Sequence, residues 1–488
     1  MSSTLLVSCI AGLTVLYLYH VNRRMSELPE EALQLSPHRW TVEKIKEAYQ
    51  KAIDSPVDVS KSLPPKQHRR YVVVGGSGLV GNWIVTHLLA RGESPAAIRI
   101  LDLHSPQQQI LDQGVAYVQT DITDEKVVRA AFAQPWPEDV ANLPLTVFHN
   151  AAIIRPGDRH KAFLPLCMNV NVNGTRNVLN AAKEHGASCF VSTSSGSVGI
   201  HRPSFWTAPW KKWPDQIVQI LGDSTPQPKK HDEFFGNYAV SKAEAEKIVR
   251  EADDLDSNFR TGCIRPTNGI YGIGDDTSAT VTGMYLRTGG TPTWTHRVIQ
   301  SFVNAENVSV AHLLYEQRLI EHTASPASLP NIGGQSFVVT DPNPAIAFSD
   351  IYLLLTTLAE TPIKFSRVPP VPFYLLSLVI ECYSLIQHVY FPRLLPRLTG
   401  DLAQLQPALF AVSSVHTIAD DSRARLALAQ GGLGYKAPIT TLEGLCKQLV
   451  EWNQNAKNGT VGAVEKKGIV YVPDDGVDVD IVVPQKKL

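Results

Sequence analysis

The sequence predicts an α/β fold whose core is a doubly wound parallel sheet. Three observations point to this class: a β-branched strand that ends in a glycine-rich turn, a helix that follows the turn, and further strands that alternate with helices at regular spacing. The 488 residues leave room for a large core and more than one domain. A net charge of −1 argues against nucleic acid as a partner, and 44% apolar residues argue against a disordered chain.

The first element in chain order is an apolar N-terminal segment. Thr4 to Val21 is an 18-residue stretch without a charged side chain, and as a helix it would reach ~27 Å, about one bilayer core. No basic residue precedes it and no small-residue cleavage site follows, which argues against a secretory signal. Because Arg23 and Arg24 follow it, we predict that residues 1–22 are a transmembrane anchor and that the rest of the chain faces the cytoplasm. A buried helix is the alternative, and residues 23–69 are predicted to be a linker with a helix.

A glycine-rich turn follows the first strand of the globular part. The strand covers Arg70 to Val74, and the turn has the spacing Gly75-x-x-Gly78-x-x-Gly81. Gly75 permits a tight turn, Gly78 lets a pyrophosphate approach the backbone, and Gly81 lets helix and strand pack closely. The pyrophosphate would bind at the helix N-terminus, where free N–H groups and the helix dipole favour an anion. The contacts predicted here are Gly75, Gly78, Leu79, Val80 and Gly81.

Three further strands complete the nucleotide-binding half. The second, Ala97 to Leu101, ends in Asp102, which lies 21 residues after Gly81. A carboxylate there can accept hydrogen bonds from both ribose hydroxyls, and its charge would repel a 2′-phosphate. NAD is therefore predicted rather than NADP. The third and fourth strands, 115–119 and 145–148, end at the same edge of the sheet. They add Asp121, Ile122, Asn150 and Ala151 to the predicted cofactor contacts.

A tyrosine and a lysine four residues apart begin a later helix. Tyr238 and Lys242 lie on one helical face, so that phenol and ammonium can enter the same pocket. A phenol has an unperturbed pKa of about 10, and a neighbouring ammonium favours the phenolate, as a general acid/base requires. The strand at 189–191 ends in hydroxyl residues, 192–195, that could bind a substrate oxygen. Behind a dinucleotide site this pattern favours a catalytic centre over a surface Tyr/Lys pair.

These motifs resemble those of the extended short-chain dehydrogenases/reductases, which have a Rossmann fold, and in particular the 3β-hydroxysteroid dehydrogenase family. The matching stretches are GGSGLVG (75–81), HNAA (149–152), NVNGTRNVL (171–179), STSSGSV (192–198), YAVSK (238–242), IRPTNGIYGIGD (264–275), NVSVAHLLYE (307–316) and GGQSFVVTD (333–341). By this resemblance Ser195 is the catalytic serine, with Ser194 as the alternative. Tyr238 is the acid/base, and Lys242 holds the nicotinamide ribose and tunes the tyrosine. Asn171 and Pro266 resemble cofactor contacts.

The chain departs from the family pattern in two places. Val74 replaces the threonine that is usual before the first glycine, which leaves the phosphate contacts in place. Ser195 and Tyr238 are 43 residues apart, because an insert separates them. The insert carries the large aromatic residues Phe205, Trp206, Trp210 and Trp213. Two interpretations remain open: a lid or apolar wall of the substrate pocket, or a surface loop.

Family analogy divides the rest of the chain by function. Residues 70–262 are the NAD-binding core with the Ser/Tyr/Lys site, 263–455 a smaller substrate-binding part, and 456–488 a tail. Only 18 of the 157 residues from Gly262 to Ile418 are charged, which is about 11%, whereas 19% of the whole chain is charged. A low charge in this part of the chain is what an apolar substrate would favour. A second apolar segment, 371–392, contains Glu381, and a mid-span carboxylate makes a free transmembrane helix costly. A membrane-embedded or interfacial segment near the substrate entrance and a buried helix are the alternatives.

The resemblance implies NAD-dependent oxidation of a 3β-hydroxyl on a sterol or triterpenoid. First among the family's activities we place oxidation of a 4-carboxysterol whose 3-ketone then loses carbon dioxide, which is C4 demethylation. The alternatives are a 3β-hydroxysteroid dehydrogenase/Δ5-4 isomerase, a ketoreductase of specialised terpenoid biosynthesis, and, from another class, a non-catalytic NAD-binding membrane scaffold.

The expected location is the endoplasmic reticulum membrane, with a single-pass anchor and the catalytic domain in the cytoplasm. The expected partners are the sterol or triterpenoid, the membrane and other sterol-processing membrane enzymes. Six scattered cysteines without a CxxC motif predict neither a disulfide framework nor a metal site.

Overall fold

A computed structural model describes residues 3–274 and 280–459 of the chain; the predicted tail lies outside the described residues from 460 onward. The strands in these residues are β1 (Arg70–Val74), β2 (Ile98–Asp102), β3 (Ala116–Gln119), β4 (Leu145–His149), β5 (Ala187–Thr193), β6 (Val218–Leu221), β7 (Arg260–Pro266), β8 (Gly269–Tyr271), β9 (Pro292–Thr293), β10 (Ile299–Gln300), β11 (Phe302–Asn304), β12 (Gln335–Val339), β13 (Ile346–Ala347), β14 (Ser366–Arg367) and β15 (His416–Ala419).

The α-helices of the same residues are α1 (Ser3–Ser26), α2 (Glu30–Leu35), α3 (Val42–Asp54), α4 (Leu79–Ala90), α5 (Gln108–Asp112), α6 (Glu125–Ala133), α7 (Leu164–Cys167), α8 (Thr175–Glu184), α9 (Asn237–Glu251), α10 (Val281–Thr288), α11 (Ala305–Ala324), α12 (Phe348–Leu358), α13 (Pro370–Val389), α14 (Gly400–Gln404), α15 (Pro407–Ser413), α16 (Ser422–Arg425) and α17 (Thr441–Lys457).

The central sheet has seven parallel strands in the order β3-β2-β1-β4-β5-β7-β12. Tyr71 and Val73 of β1 face a core shared with α4 and α11, while Val72 and Val74 face a core shared with α6, α8 and α9. Burial on both faces explains the continuous apolar run of β1. The strand order reverses between β1 and β4, which opens a crevice at their carboxyl ends. The predicted doubly wound α/β fold is therefore confirmed.

A smaller sheet joins the two halves of the chain. Its order is β13-β10-β15-β6, with β13 antiparallel to β10 and the other pairs parallel. Strand β6 comes from the insert that precedes Tyr238, so the insert is hydrogen-bonded to the C-terminal half. Strand β7 begins at Arg260 and β12 follows in the same sheet, so the boundary predicted at residue 262 falls inside β7. The predicted linker contains α2 and α3, and Ile45 of α3 is buried in the same core cluster as residues of α12 and α17.

Two helices, the one that begins at Ser3 and α13, are long and apolar enough to cross a membrane. The most apolar window of the N-terminal helix is only 6% buried, so this helix extends away from the folded body. The C-terminal turns of this helix pack against the folded body, where Val21 and Met25 are buried beside residues of α13. In α13 a third of the corresponding window is buried. The first helix thus has the length and exposure that the predicted anchor requires.

Candidate active site

The glycine-rich turn has the geometry that its spacing predicts. Gly75 has φ +76°, and a Cβ there would lie 2.5 Å from the backbone nitrogen of Ala151. A Cβ on Gly81 would overlap the Gly75 carbonyl oxygen, so this glycine lets α4 pack on the turn. A Cβ on Gly78 would meet only that carbonyl oxygen, at 3.5 Å. The turn is therefore closed against the protein and open on the outer side of Gly78, where Leu79 begins α4.

Asp102 lies at the end of β2, beside the glycine-rich turn. Its Oδ2 accepts a hydrogen bond from the Ser77 backbone N–H at 3.0 Å, and its Oδ1 accepts one from the His104 N–H at 3.1 Å. The residue is only partly buried, so its carboxylate borders the crevice at the position predicted for the ribose. At the end of the next strand, Asp121 is exposed and Ile122 is buried against Gly174.

We expect the Asp102→Asn substitution to weaken discrimination against NADP, because it removes the charge that repels a 2′-phosphate. The ratio of kcat/KM for NAD to that for NADP should fall about tenfold, measured by initial rates with each cofactor. Asp112→Asn on exposed α5 is the matched control and should leave the ratio unchanged. A wild-type preference for NADP would contradict the role of Asp102.

Tyr238 and Lys242 lie in the first turns of α9 and face the end of β5. The Lys242 Nζ donates to the Thr193 carbonyl oxygen at 2.6 Å, and burial lowers the pKa of this lysine to about 8. The Tyr238 phenol hydrogen-bonds Ser195, while burial raises its pKa to about 12. The expected lowering of the tyrosine pKa by Lys242 is not met in this state: desolvation raises the pKa, and the opposing effect comes from the hydrogen bond with Ser195. The structure thus places Tyr238 in contact with Ser195, and Lys242 in contact with the backbone of Thr193 at the end of the same strand.

The two candidate serines have different partners. The Ser194 Oγ donates a hydrogen bond to Glu246 Oε2 at 2.6 Å. The same carboxylate accepts a hydrogen bond from the Arg265 Nε at 2.8 Å. The Ser195 Oγ lies 2.8 Å from the Ser197 Oγ and also bonds the Tyr238 phenol. Ser195 is therefore the hydroxyl beside the phenol, while Ser194 is engaged by a buried ion pair. Sequence reasoning missed Glu246, although its spacing of four from Lys242 places it on the same helical face.

Asn171 lies in a π-helical turn, Met168–Gly174, a feature that is frequent at functional sites. Its Oδ1 accepts from the Ile153 N–H at 2.8 Å, and its Nδ2 donates to the Ser241 Oγ at 2.9 Å. The carboxamide thus ties the loop after β4 to α9, next to Lys242. Pro266 ends β7, and its carbonyl oxygen lies against Gly196.

The side chains around the crevice fit a dinucleotide. Asn150, which follows β4, has a buried Nδ2 without a hydrogen-bond partner among the described residues. The backbone of Asn150 and Ala151 lies directly against Gly75. The open side of Gly78 and the carboxylate of Asp102 therefore border the crevice at the carboxyl ends of β1 and β2, and Tyr238 and Lys242 lie beyond the end of β5. These are the contacts that NAD requires at its phosphate, ribose and nicotinamide parts.

The insert between Ser195 and Tyr238 packs on the base of α1 and on α13. Trp206 stacks on Tyr17 of α1 with ring centroids 6.5 Å apart, and it lies 5.6 Å from the Tyr374 ring of α13. Phe205 is buried in the same cluster, and Arg24 lies over the Trp213 ring at 5.5 Å. Trp210 remains 85% exposed. The insert thus links the N-terminal helix to the C-terminal half.

The mid-span carboxylate of α13 is neutralised by a bidentate ion pair. Glu381 accepts from the Arg159 Nε and Nη2, both at 2.7 Å. Arg159 lies in the loop that follows β4, so this pair fixes α13 to the nucleotide-binding half. The opposite side of α13 exposes large apolar side chains, which are Leu375, Leu376, Val379, Ile386 and Val389. One face of α13 is therefore attached to the protein and another is apolar and uncovered.

The sequence profile of one protein family matches residues 72–364, more than half of the chain; the family is described as "3-beta hydroxysteroid dehydrogenase/isomerase family". A similar curated protein is "3 beta-hydroxysteroid dehydrogenase type 7" of Mus musculus, 27% identical over 406 residues, which cover 79% of this chain and 95% of the relative. Another is "Sterol-4-alpha-carboxylate 3-dehydrogenase, decarboxylating" of Homo sapiens, 27% identical over 62% of this chain and 69% of that protein.

Solved structures share the fold at lower identity. The UDP-glucose 4-epimerase of Thermotoga maritima aligns with a TM-score of 0.52 at 16% identity, covering 80% of this chain and 99% of its own. At that identity the similarity supports the parallel-sheet architecture alone.

Proposed function

The chain belongs to the 3-beta hydroxysteroid dehydrogenase/isomerase family, and from that premise we propose that it oxidises the 3β-hydroxyl of a sterol or triterpenoid. It is an NAD-dependent oxidoreductase that acts on a CH–OH group. The observation that carries the proposal is the contact of Ser195 with Tyr238 beside Lys242, at one end of the dinucleotide crevice. The charge-poor C-terminal half, which follows this site, supports an apolar polycyclic substrate.

In the proposed mechanism Ser195 and Tyr238 bind the substrate hydroxyl. NAD would be held by the glycine-rich turn, Asp102 and Lys242, and would supply the hydride acceptor for carbon 3. In its phenolate form Tyr238 takes the hydroxyl proton as general base, and Lys242 stabilises that phenolate electrostatically. Because the Lys242 ammonium is already fixed on the Thr193 carbonyl oxygen, it needs little reorganisation to take this role. Burial of the site excludes water from the reacting atoms.

The substrate we favour is a 4-carboxysterol. Oxidation at carbon 3 then forms a β-keto acid, which loses carbon dioxide through an enol, as in C4 demethylation. The printed name of the human relative supports this branch. The name of the Mus musculus relative supports the alternative, a 3β-hydroxysteroid dehydrogenase, which in this family can also move the double bond from position 5 to 4. A further alternative is a ketoreductase of specialised terpenoid biosynthesis, which would catalyse the reverse reaction, the reduction of a 3-ketone to the 3β-hydroxyl.

Incubation of membranes that contain the full chain with a 4-carboxysterol and NAD separates these activities. Release of carbon dioxide with formation of a 3-ketone supports the favoured substrate. A conjugated enone from a Δ5-3β-hydroxysteroid supports the isomerase. A non-catalytic scaffold predicts NAD binding without turnover of either sterol.

We further propose that α1 anchors the enzyme in the endoplasmic reticulum membrane with the catalytic domain in the cytoplasm, close to other sterol-processing membrane enzymes. The exposed apolar face of α13 would then lie in the membrane interface near the substrate entrance. Two observations support this: α13 packs on the base of α1, and the Trp-rich insert lies between them. Tryptophan is enriched at the level of lipid headgroups.

The Val379→Glu substitution should raise the KM for a membrane-dissolved sterol about fivefold, because it places a charge on the apolar face of α13. The KM for NAD should not change, since the cofactor arrives from water. Val127→Glu, at an exposed valine on α6, is the matched control. Equal sterol KM values in both variants would contradict the membrane contact of α13.

A further inference from the structure

A chain of buried hydrogen bonds connects α11 to the cofactor crevice. The His312 Nε2 lies 2.8 Å from the Thr193 Oγ1, and its Nδ1 lies 2.8 Å from the Val308 carbonyl oxygen. The same Thr193 hydroxyl contacts the Asn150 carboxamide, and the Thr193 carbonyl oxygen accepts the Lys242 ammonium. Thr193, at the end of β5, thus contacts His312 and Asn150 through its hydroxyl and Lys242 through its carbonyl oxygen.

The protons of this chain can be assigned from its acceptors. A carbonyl oxygen only accepts, so the His312 Nδ1 must carry a hydrogen. His312 is fully buried, and burial lowers its pKa to about 4, so at neutral pH the ring is neutral. The Nε2 is therefore an acceptor, and the single hydroxyl hydrogen of Thr193 is donated to it.

This assignment fixes the orientation of Asn150. The hydroxyl of Thr193 has no second hydrogen, so the carboxamide atom that faces it must be the donor Nδ2. Oδ1 faces Thr193 in the structure, and Nδ2 is buried without a partner among the described residues. Rotating the carboxamide by 180° lets Nδ2 donate to the Thr193 hydroxyl, and amide orientation is assigned from such networks. The oxygen then takes the position of the unpaired nitrogen.

We propose that His312 is a positioning residue of the cofactor site. Through the Thr193 hydroxyl it holds the Asn150 carboxamide with Nδ2 toward β5. It thereby also holds the backbone of Asn150 and Ala151, which lies directly against Gly75 of the glycine-rich turn. The proposal rests on the dinucleotide site of the proposed function, and it assigns a role to the stretch 307–316 that was otherwise only a family signature.

The test measures NAD affinity of the full chain without a sterol, by quenching of tryptophan fluorescence. Thr193→Val keeps the shape of the side chain and removes the hydroxyl, so NAD should bind about tenfold more weakly. Thr193→Ser, which keeps the hydroxyl, should restore affinity to within about threefold. His312→Leu should match Thr193→Val, while His312→Gln, whose amide oxygen can accept the hydroxyl, should recover part of the loss.

Two further results separate positioning from general destabilisation. The double variant Thr193→Val/His312→Leu should bind NAD no more weakly than either single variant, because both break the same chain. In turnover, His312→Leu should raise the KM for NAD and leave kcat at saturating NAD nearly unchanged. Equal affinity of Thr193→Val and Thr193→Ser, or additive losses in the double variant, would overturn the proposal. Because no sterol is present in the binding test, a wrong substrate assignment would not affect it.

Discussion

The Tyr238→Phe variant should lose turnover while it keeps NAD binding. General acid/base catalysis contributes about 10²- to 10⁴-fold, so kcat should fall by a factor in that range. The phenol bonds Ser195, so its removal deletes the proton acceptor and leaves the glycine-rich turn and Asp102 in place. Sterol product formation is measured by mass spectrometry, and NAD affinity by tryptophan fluorescence.

The two neighbouring serines provide a matched control for this prediction. Ser195→Ala removes the hydroxyl beside the phenol and should lower kcat by about 10²-fold. Ser194→Ala removes a hydroxyl that donates to Glu246, so kcat should stay within a few-fold of the wild type. A larger loss in Ser194→Ala than in Ser195→Ala would reverse the assignment. If wild type and Tyr238→Phe bind NAD equally and neither oxidises a sterol, the chain is a scaffold.

The dinucleotide half could be predicted from sequence because each of its requirements is local. Gly75 and Gly81 are required by contacts within one turn, and Asp102 follows from the length of a single β-α-β unit. Tyr238 and Lys242 need only one helical turn to share a face. For these residues the spacing along the chain already determines the spacing in space.

The contacts that the sequence did not predict are long-range. Thr193 and His312 are 119 residues apart, and Arg159 and Glu381 are 222 residues apart. No periodicity links such positions, because the topology of the sheet and the packing of α11 and α13 bring them together. The packing of the insert on α1 likewise depends on where a helix outside the core sheet lies. The pKa of Tyr238 was mispredicted for a related reason, since burial is a property of the whole fold.

Mild acid should destabilise the folded chain through its buried histidines. His87, His149, His312 and His416 are all buried, and burial lowers their pKa values to about 3, 3, 4 and 4, respectively. An unfolded histidine has a pKa of about 6.5, so below that pH the unfolded chain binds protons that the folded chain cannot. The stability contributed by each neutral histidine is complete above about pH 6.5 and is lost as the pH falls toward its folded pKa.

The size of this effect makes it one of the largest we expect. Lowering the pKa of one histidine by about 2.5 on folding corresponds to about 3 kcal/mol. This is a large part of a typical folding free energy. Asp341 opposes it, because burial raises its pKa to about 6 and the folded state therefore gains stability on acidification. Asp223, Glu306, Asp350 and Asp421 act in the same direction, because burial raises their pKa values too. The four histidine shifts begin at about pH 6.5, above the range in which unfolded carboxylates are protonated, so the free energy of unfolding should fall below about pH 6.

Thermal unfolding of the full chain in detergent, followed by near-ultraviolet circular dichroism from pH 8 to pH 4, measures how steeply the free energy of unfolding changes with pH. This slope is then compared among the variants. His416→Gln keeps an acceptor for the Ile299 N–H, which the imidazole Nδ1 binds at 3.0 Å. It should reduce the slope by up to about 1.4 kcal/mol per pH unit, because one proton fewer is taken up on unfolding. His38→Gln, at an exposed histidine, should leave the slope unchanged. A stability that stays flat or rises between pH 7 and pH 5 would show that these imidazoles are not held neutral, because charged imidazoles in the folded chain would bind the same protons as the unfolded one.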